Sequence, residues 1–121
     1  MEKYKRVCAK IDLDALDYNI NSIKNAIQEN SGIVAVIKTD GYGHGAIPLG
    51  KRLEKEKKVW GFVVATAEEA DILRESGIQK PILILGHTPV GTYPIAVKEN
   101  VRPAIFRYED AVALSEEATR Q

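Results

Sequence analysis

The chemically most distinctive part of this chain is a ten-residue stretch with one lysine and three alternating glycines. It reads Val36-Ile37-Lys38-Thr39-Asp40-Gly41-Tyr42-Gly43-His44-Gly45. Lys38 directly follows a run of aliphatic residues, and burial beside such residues disfavours the ammonium form of lysine. The neutral amine can attack a carbonyl group and form a Schiff base. The alternative is a strand-end lysine whose aliphatic stem covers apolar surface while its amine reaches water.

The glycines make the same loop suitable for binding an anion. Gly41, Gly43 and Gly45 allow positive φ angles and a close approach of the backbone to a ligand. The loop leads into the start of the next predicted helix, where free N–H groups favour anions. Together with the Tyr42 hydroxyl, these features could receive a phosphate-bearing aldehyde. The alternative is an ordinary flexible turn in which the Tyr42 ring is packed.

Two common phosphate-binding motifs do not fit this loop. A P-loop carries its lysine after the glycines and continues with Ser or Thr, whereas Lys38 precedes them. The dinucleotide fingerprint has the spacing G-x-G-x-x-G, whereas the spacing here is G-x-G-x-G. The loop is therefore a candidate anion site of another kind.

The two histidines do not predict a metal centre. Neither His44 nor His87 has a second His or Cys at the spacing of metal ligands. We expect structural or solvent-exposed roles for both, with an acid–base role for His44 as the alternative. No metal site is predicted.

Four other residues have simple structural interpretations. Asp40 is expected to be a turn residue, since Asp bonds readily to nearby backbone, with pairing to Lys38 as the alternative. Cys8 is expected to be a small packed side chain, because no neighbouring motif activates it. Glu68 and Glu69 are expected to cap a helix and interact with its dipole rather than form a catalytic pair.

Aliphatic runs alternate with helical patterns along the chain. The predicted strands cover residues 33–37, 60–65, 82–85 and 101–106. A helix follows each of them, over about 46–56, 67–77, 91–99 and 107–119, and the last helix is expected to carry Ala111, Val112 and Leu114 inward. An amphipathic helix from Asp12 or Asp14 to about residue 29 precedes the first strand. Right-handed crossovers would make the four strands parallel.

This order predicts an α/β fold, the first half of a (β/α)8 TIM barrel. Four βα units are half of an eight-unit barrel, and a complete barrel takes about 250 residues. The alternative is a small, open doubly wound sheet. In both folds ligands bind at the carboxyl edge of the sheet, where the pattern places Lys38.

Composition excludes several classes of protein. The chain has 121 residues, 17 Lys and Arg against 17 Asp and Glu, and 45% hydrophobic residues. Disorder and polybasic nucleic-acid binding are therefore not expected. No apolar run approaches the roughly 20 residues of a membrane helix. The N-terminus leads into no apolar signal core, and a single cysteine allows no internal disulfide, which together predict a cytoplasmic protein.

Residues 35–45 resemble the pyridoxal-phosphate attachment motif of bacterial alanine racemases. Three further stretches resemble the same family in the same order: residues 10–19 (Lys-Ile-Asp-Leu-Asp-Ala-Leu-Asp-Tyr-Asn), 68–78 and 80–86. The resemblance runs along essentially the whole chain, and the Lys38 motif is its most specific part. Thr39 stands where the family often has Ala.

The resemblance implies an isomerase that interconverts L- and D-alanine and so supplies D-alanine for peptidoglycan. Lys38 would hold pyridoxal 5'-phosphate as a Schiff base and act as acid–base on one face of the substrate α-carbon. Tyr42 would contact the cofactor phosphate, and Leu85 would pack near the cofactor ring.

The resemblance also implies that residues 1–121 are the N-terminal fragment of a barrel domain. The remaining barrel units, a β-rich C-terminal domain, the ring-nitrogen partner and the opposite-face base would all lie beyond residue 121. The parent enzyme would be a homodimer, and the fragment alone would be inactive. Alternatives are a non-catalytic barrel that binds pyridoxal phosphate, a broad-specificity amino-acid racemase, and a structural half-barrel without cofactor.

Overall fold

The computed structural model describes residues 6–121 and shows strands alternating with helices. In chain order the elements are α1 (Leu13–Ala26), β1 (Ile33–Val36), a single turn at Lys38–Tyr42, α2 (Ala46–Leu53), β2 (Val59–Val64), α3 (Ala67–Glu75), β3 (Ile82–Ile84), a 3-10 turn (Val90–Thr92), α4 (Tyr93–Lys98), β4 (Arg102–Pro103) and α5 (Tyr108–Arg120). None of the helices in this part of the chain has the length and apolar composition that a bilayer span requires.

The four strands form one sheet in the order β1-β2-β3-β4. All three neighbouring pairs are parallel. This sequential order is that of a barrel, whereas a doubly wound sheet reverses its strand order at a switch point. The prediction of four parallel βα units, preceded by an amphipathic helix, is confirmed.

The two faces of the sheet differ in what covers them. Phe62, Ile82 and Ile84 are fully buried in the core that the helices cover. On the opposite face of β1, Val34 and Val36 are each 43% exposed. Side chains alternate between faces along a strand. The helices therefore cover one face of β1 and leave the other open.

Several element boundaries differ from the sequence prediction. β4 has two residues, although a strand was predicted over 101–106, and α1 ends at Ala26 rather than near residue 29. Asp12, not Asp14, caps α1: its carboxylate accepts hydrogen bonds from the backbone N–H groups of Asp14 and Ala15. Val112 of α5 was expected to point inward but is 37% exposed.

Cys8 is exposed, so the prediction that it packs in the interior is wrong. It lies in the segment before α1. A small apolar side chain favours the interior only where an element packs over it. The sequence pattern shows no such element around Cys8.

One arginine ties the amino ends of two βα units together. The Arg74 guanidinium, at the end of α3, donates hydrogen bonds to the backbone carbonyls of Ile78 (2.9 Å), Lys80 (2.9 Å), Glu99 (2.8 Å) and Asn100 (3.1 Å). Carbonyls past the end of a helix lack intrahelical donors and need partners of this kind. The planar fork of arginine can serve several of them at once.

Replacing Arg74 with Met should lower the free energy of unfolding by about 2–4 kcal/mol, because several partly buried carbonyls lose their donor. Urea denaturation followed by far-UV circular dichroism measures this. Arg120→Met is the control, since Arg120 is exposed and forms a surface ion pair with Glu117. Such pairs are worth about 0–1 kcal/mol. A loss at Arg74 no larger than at Arg120 would contradict this account.

Candidate active site

Lys38 lies at the carboxyl edge of the sheet, two residues beyond the end of β1. The predicted strand ran to Ile37, but β1 ends at Val36, and Lys38 begins the following turn. Ile37 still donates its N–H to the Val63 carbonyl (3.0 Å), and its side chain is buried. Lys38 itself is half-buried. Its backbone is therefore anchored to the sheet while its amine lies at the edge where ligands bind in such folds.

The turn at Lys38–Tyr42, which we call the lysine turn, is left-handed. The φ angles are 53° at Thr39, 53° at Asp40, 62° at Gly41 and 56° at Tyr42. A left-handed helical conformation costs about 1–2 kcal/mol for each residue that carries a Cβ. One of the four residues is glycine. The other three need compensating contacts from the surrounding structure.

Asp40 supplies two of those contacts. Its carboxylate accepts a hydrogen bond from the N–H of Ala46, the first residue of α2 (2.9 Å), and its carbonyl accepts from the N–H of Gly45 (2.8 Å). The interpretation of Asp40 as a turn residue is confirmed. Gly41 is buried and has φ 62°, and a Cβ there would lie 2.7 Å from Leu49 Cδ1 and 3.3 Å from the backbone N of Ala46, so glycine avoids both crowding and backbone strain at this position.

Glu69 supplies a third contact, which the sequence did not predict. One carboxylate oxygen accepts the N–H of Thr39 (2.8 Å) and the other accepts the N–H of Ala65 (2.7 Å). The expected helix cap exists, since the Thr66 hydroxyl accepts from the N–H of Glu69. The Glu69 carboxylate, however, accepts these two N–H groups just beyond β1 and β2, whereas in a capping box it would accept the backbone N–H of Thr66.

Lys38 and Tyr42 come together in the lysine turn. The Lys38 amine lies 5.8 Å from the centroid of the Tyr42 ring, within the range of a cation–π contact. Tyr42 is 60% exposed, so it is not the packed loop aromatic of the alternative interpretation.

The histidines lie outside this pair. The side chain of His44 is exposed, and its Nδ1 lies 2.9 Å from the Gly41 carbonyl, which can only accept a hydrogen bond. His87 is exposed as well. Within residues 6–121, no three His, Cys, Asp or Glu side chains come close enough to hold a metal ion.

Leu85 lies along the same edge, directly after β3. Its N–H donates to the Val64 carbonyl (3.0 Å), and its side chain is 50% exposed. The preceding Ile84 is fully buried under the helices, so the alternation along the strand places Leu85 toward the open face. β3 is two strands from β1, a separation of about 10 Å. Leu85 and Lys38 thus occupy different positions along one continuous edge.

An ion pair lies in the chain beyond the carboxyl end of β4. Arg107, just before α5, bonds to the Asp110 carboxylate at 2.8 Å, and Asp110 is buried. The hydrogen bond from Arg107 holds the pKa of Asp110 below its usual range, although burial opposes this. A carboxyl group with a lowered pKa stabilises the fold above the unfolded-state pKa, and that stabilisation is lost as pH falls through the folded-state pKa.

The edge therefore combines a primary amine, a phenol and an exposed apolar side chain. These three groups fit a flat aldehyde that carries a phosphate group. The amine can react with the aldehyde, the phenol can donate a hydrogen bond to the phosphate, and the apolar side chain can pack on a ring. Together, the fold and this edge define the class of protein: half of a (β/α) barrel with a candidate ligand site at the carboxyl ends of its strands.

Comparison with known proteins identifies the family. The sequence model described as "Alanine racemase, N-terminal domain" matches residues 11–121. Alanine racemase 1 of Oceanobacillus iheyensis is 40% identical over 116 residues, covering 95% of this chain and 30% of that protein. Alanine racemase 1 of Caldanaerobacter subterraneus is 43% identical over 112 residues, covering 93% and 29%.

Solved structures agree with the sequence comparison. The alanine racemase of Clostridium difficile 630 superposes with a TM-score of 0.86 at 42% identity, covering 89% of this chain and 28% of that one. The alanine racemase of Bacillus anthracis gives a TM-score of 0.82 at 32% identity, covering 92% and 28%. The chain belongs to the alanine racemase N-terminal domain family and spans about 30% of the length of its curated relatives.

Proposed function

We propose that the protein to which this chain belongs is an alanine racemase, which interconverts L- and D-alanine with pyridoxal 5'-phosphate bound through Lys38. Residues 1–121 are then the N-terminal fragment of its barrel domain. The observation that carries the proposal is the position of Lys38. Lys38 is half-buried, and its amine lies 5.8 Å from the centroid of the Tyr42 ring, at the carboxyl edge of a chain 40% identical to an alanine racemase.

Each residue of the edge has one role in this proposal. Lys38 would hold the cofactor through a bond from its amine nitrogen to the aldehyde carbon, with the aldehyde oxygen leaving as water. Once the substrate amine takes over that bond, the released Lys38 amine would move the α-proton on the face of the substrate that it reaches. The Tyr42 hydroxyl would donate to the cofactor phosphate, and the Leu85 side chain would pack on the ring. When bound, the cofactor ring withdraws electrons from the substrate α-carbon and so makes its proton easier to remove.

Ligands of related structures support an amino-acid substrate. The Bacillus anthracis alanine racemase was solved with bound L-Ala-P, and a Clostridium difficile 630 alanine racemase in complex with cycloserine. The latter protein is 42% identical to this chain. Alanine is therefore the substrate we propose.

The open face of the sheet supports further barrel units in the parent protein. Val34 and Val36 are 43% exposed there, on the face that a closed barrel turns inward. We propose that the remaining barrel strands cover these side chains and that a β-rich C-terminal domain follows. The parent enzyme would be a cytoplasmic homodimer that supplies D-alanine for peptidoglycan.

The proposal is tested by covalent trapping on the full-length protein. Incubation with pyridoxal phosphate followed by borohydride reduction should label Lys38, as mapped by peptide mass spectrometry. The unreduced protein should convert L-alanine into a racemic mixture, as measured by chiral chromatography. A label at Lys38 without racemisation would instead indicate a non-catalytic cofactor-binding barrel. Absence of any label would indicate a structural half-barrel, and racemisation of many amino acids would indicate a broad-specificity enzyme.

A further inference from the structure

The peptide group next to Lys38 is held by a side chain from another βα unit. The peptide group that joins Lys38 to Thr39 carries the carbonyl of Lys38 and the N–H of Thr39. This N–H donates to Glu69 Oε1 at 2.8 Å. The orientation of that peptide sets the direction in which the Lys38 Cα–Cβ bond leaves the backbone. A contact that fixes the peptide therefore limits where the Lys38 amine can lie.

Glu69 is itself held in place from two directions. Its second carboxylate oxygen accepts the N–H of Ala65, one residue beyond β2, at 2.7 Å. Its own N–H donates to the Thr66 hydroxyl that caps α3. The carboxylate thus bridges the exits of two neighbouring strands from the first turn of a helix. In that position the positive end of the helix dipole favours a negative charge.

The lysine turn needs such an anchor because its own backbone does not favour the conformation. Thr39 starts a run of four left-handed residues, of which three carry a Cβ. Without a partner for the Thr39 N–H, the turn could relax toward right-handed or extended backbone. That relaxation would move Lys38 relative to Tyr42, now 5.8 Å from its amine.

We propose that Glu69 is a positioning residue for Lys38. Its carboxylate locks the Lys38–Thr39 peptide to the end of β2 and so holds the amine in the orientation that reacts. The proposal rests on the proposed function for its effect on catalysis. The clamp, by which we mean the Glu69 carboxylate bound to the N–H groups of Thr39 and Ala65, does not depend on that function.

Two substitutions at Glu69 break the clamp in different ways. Glu69→Gln keeps the size of the side chain, but its amide has one accepting oxygen for two N–H donors. Glu69→Asp keeps the charge, but its side chain is one methylene shorter and cannot reach both donors. Glu68→Gln is the matched control, because it removes the same charge from the same helical turn, where Glu68 is exposed.

The experiment compares these variants of the full-length protein. Glu69→Gln and Glu69→Asp should lower kcat by about 10–100-fold with KM changed less than threefold, because misplacing a reacting group by about 1 Å costs up to 10²-fold. When pyridoxal phosphate is added to the cofactor-free protein, both variants should also slow formation of the borohydride-trapped product at Lys38. Glu68→Gln should change neither kcat nor the trapping rate at Lys38. Equal slowing of trapping at the other lysines, together with a lower thermal midpoint of unfolding, would indicate a general loss of fold and overturn the positioning role.

Hydrogen exchange separates failure of the clamp from failure of the proposed function. In both Glu69 variants the Thr39 and Ala65 amides should lose protection by about tenfold or more, while core amides such as that of Phe62 keep theirs. Selective loss of protection in a protein that proves unable to racemise alanine would support the clamp and overturn the proposed function. Unchanged protection at Thr39, or an equal loss of kcat in Glu68→Gln, would overturn the positioning role.

Discussion

Replacing Lys38 with Ala in the full-length protein should abolish alanine racemisation, with a loss of kcat of at least about 10³-fold. Under the proposed function two contributions would disappear together, the covalent attachment of the cofactor and the proton transfer on one face of the α-carbon. A positioned acid–base group alone typically contributes about 10²–10⁴-fold. Chiral chromatography of alanine after incubation with saturating pyridoxal phosphate measures the loss.

The control for this variant is Lys51→Ala. Lys51 is an exposed lysine of α2, away from the carboxyl edge of β1. Its removal should leave kcat within twofold of the parent value. If Lys38→Ala kept more than a tenth of the parent kcat, the role of Lys38 in proton transfer would be refuted. Labelling of another lysine in that variant would show that the cofactor attaches elsewhere.

The 121-residue chain by itself should not racemise alanine at an enzymatic rate. Racemisation removes a proton from one face of the α-carbon and delivers one to the other, and Lys38 can serve a single face. Tyr42 lies on the same side as Lys38, and the His44 Nδ1 faces the Gly41 carbonyl. Asp40 is the remaining acid–base group of the lysine turn and its loop, and its carboxylate accepts the N–H of Ala46 (2.9 Å). We therefore expect the group that serves the opposite face to come from outside this loop.

Turnover by the 121-residue chain should be about 10²–10⁴-fold lower than turnover by the full-length protein at equal cofactor occupancy, because one general acid–base group contributes that much. Loss of oriented electrostatic support from the other barrel units would enlarge this difference. The measurement compares turnover per mole of Lys38-bound cofactor, determined by borohydride trapping in both proteins. Turnover by the short chain within tenfold of the parent would place the second acid–base group inside residues 1–121.

Local sequence patterns predicted most of the fold correctly. Aliphatic runs at 33, 60, 82 and 101 became four parallel strands, and the helices follow them in the predicted order. Asp12 and Thr66 cap their helices as their residue types predict. These features depend on periodicity and on hydrogen bonds between residues two or three apart, which a single sequence displays directly.

Strand ends were predicted less well, because they depend on neighbours. β1 ends at Val36 rather than Ile37, and β4 has two residues where six were expected. A strand continues only while an adjacent strand offers matching N–H and C=O groups. The hydrophobic pattern around residue 101 shows apolar residues but not where pairing with β3 stops.

The sequence by itself determined that a lysine followed by alternating glycines lies at the carboxyl edge of a parallel sheet. The tertiary structure decided how that lysine is held. Thr39, Asp40 and Tyr42 adopt left-handed backbone although none is glycine, and Glu69 reaches 30 residues back along the chain to bind the N–H of Thr39. The local pattern predicted that Glu69 caps its own helix, because the free N–H groups at the start of a helix are also good partners for a carboxylate. Only the packing of α3 beside the exit of β1 brings the Thr39 N–H within 2.8 Å of Glu69 and makes it the partner instead.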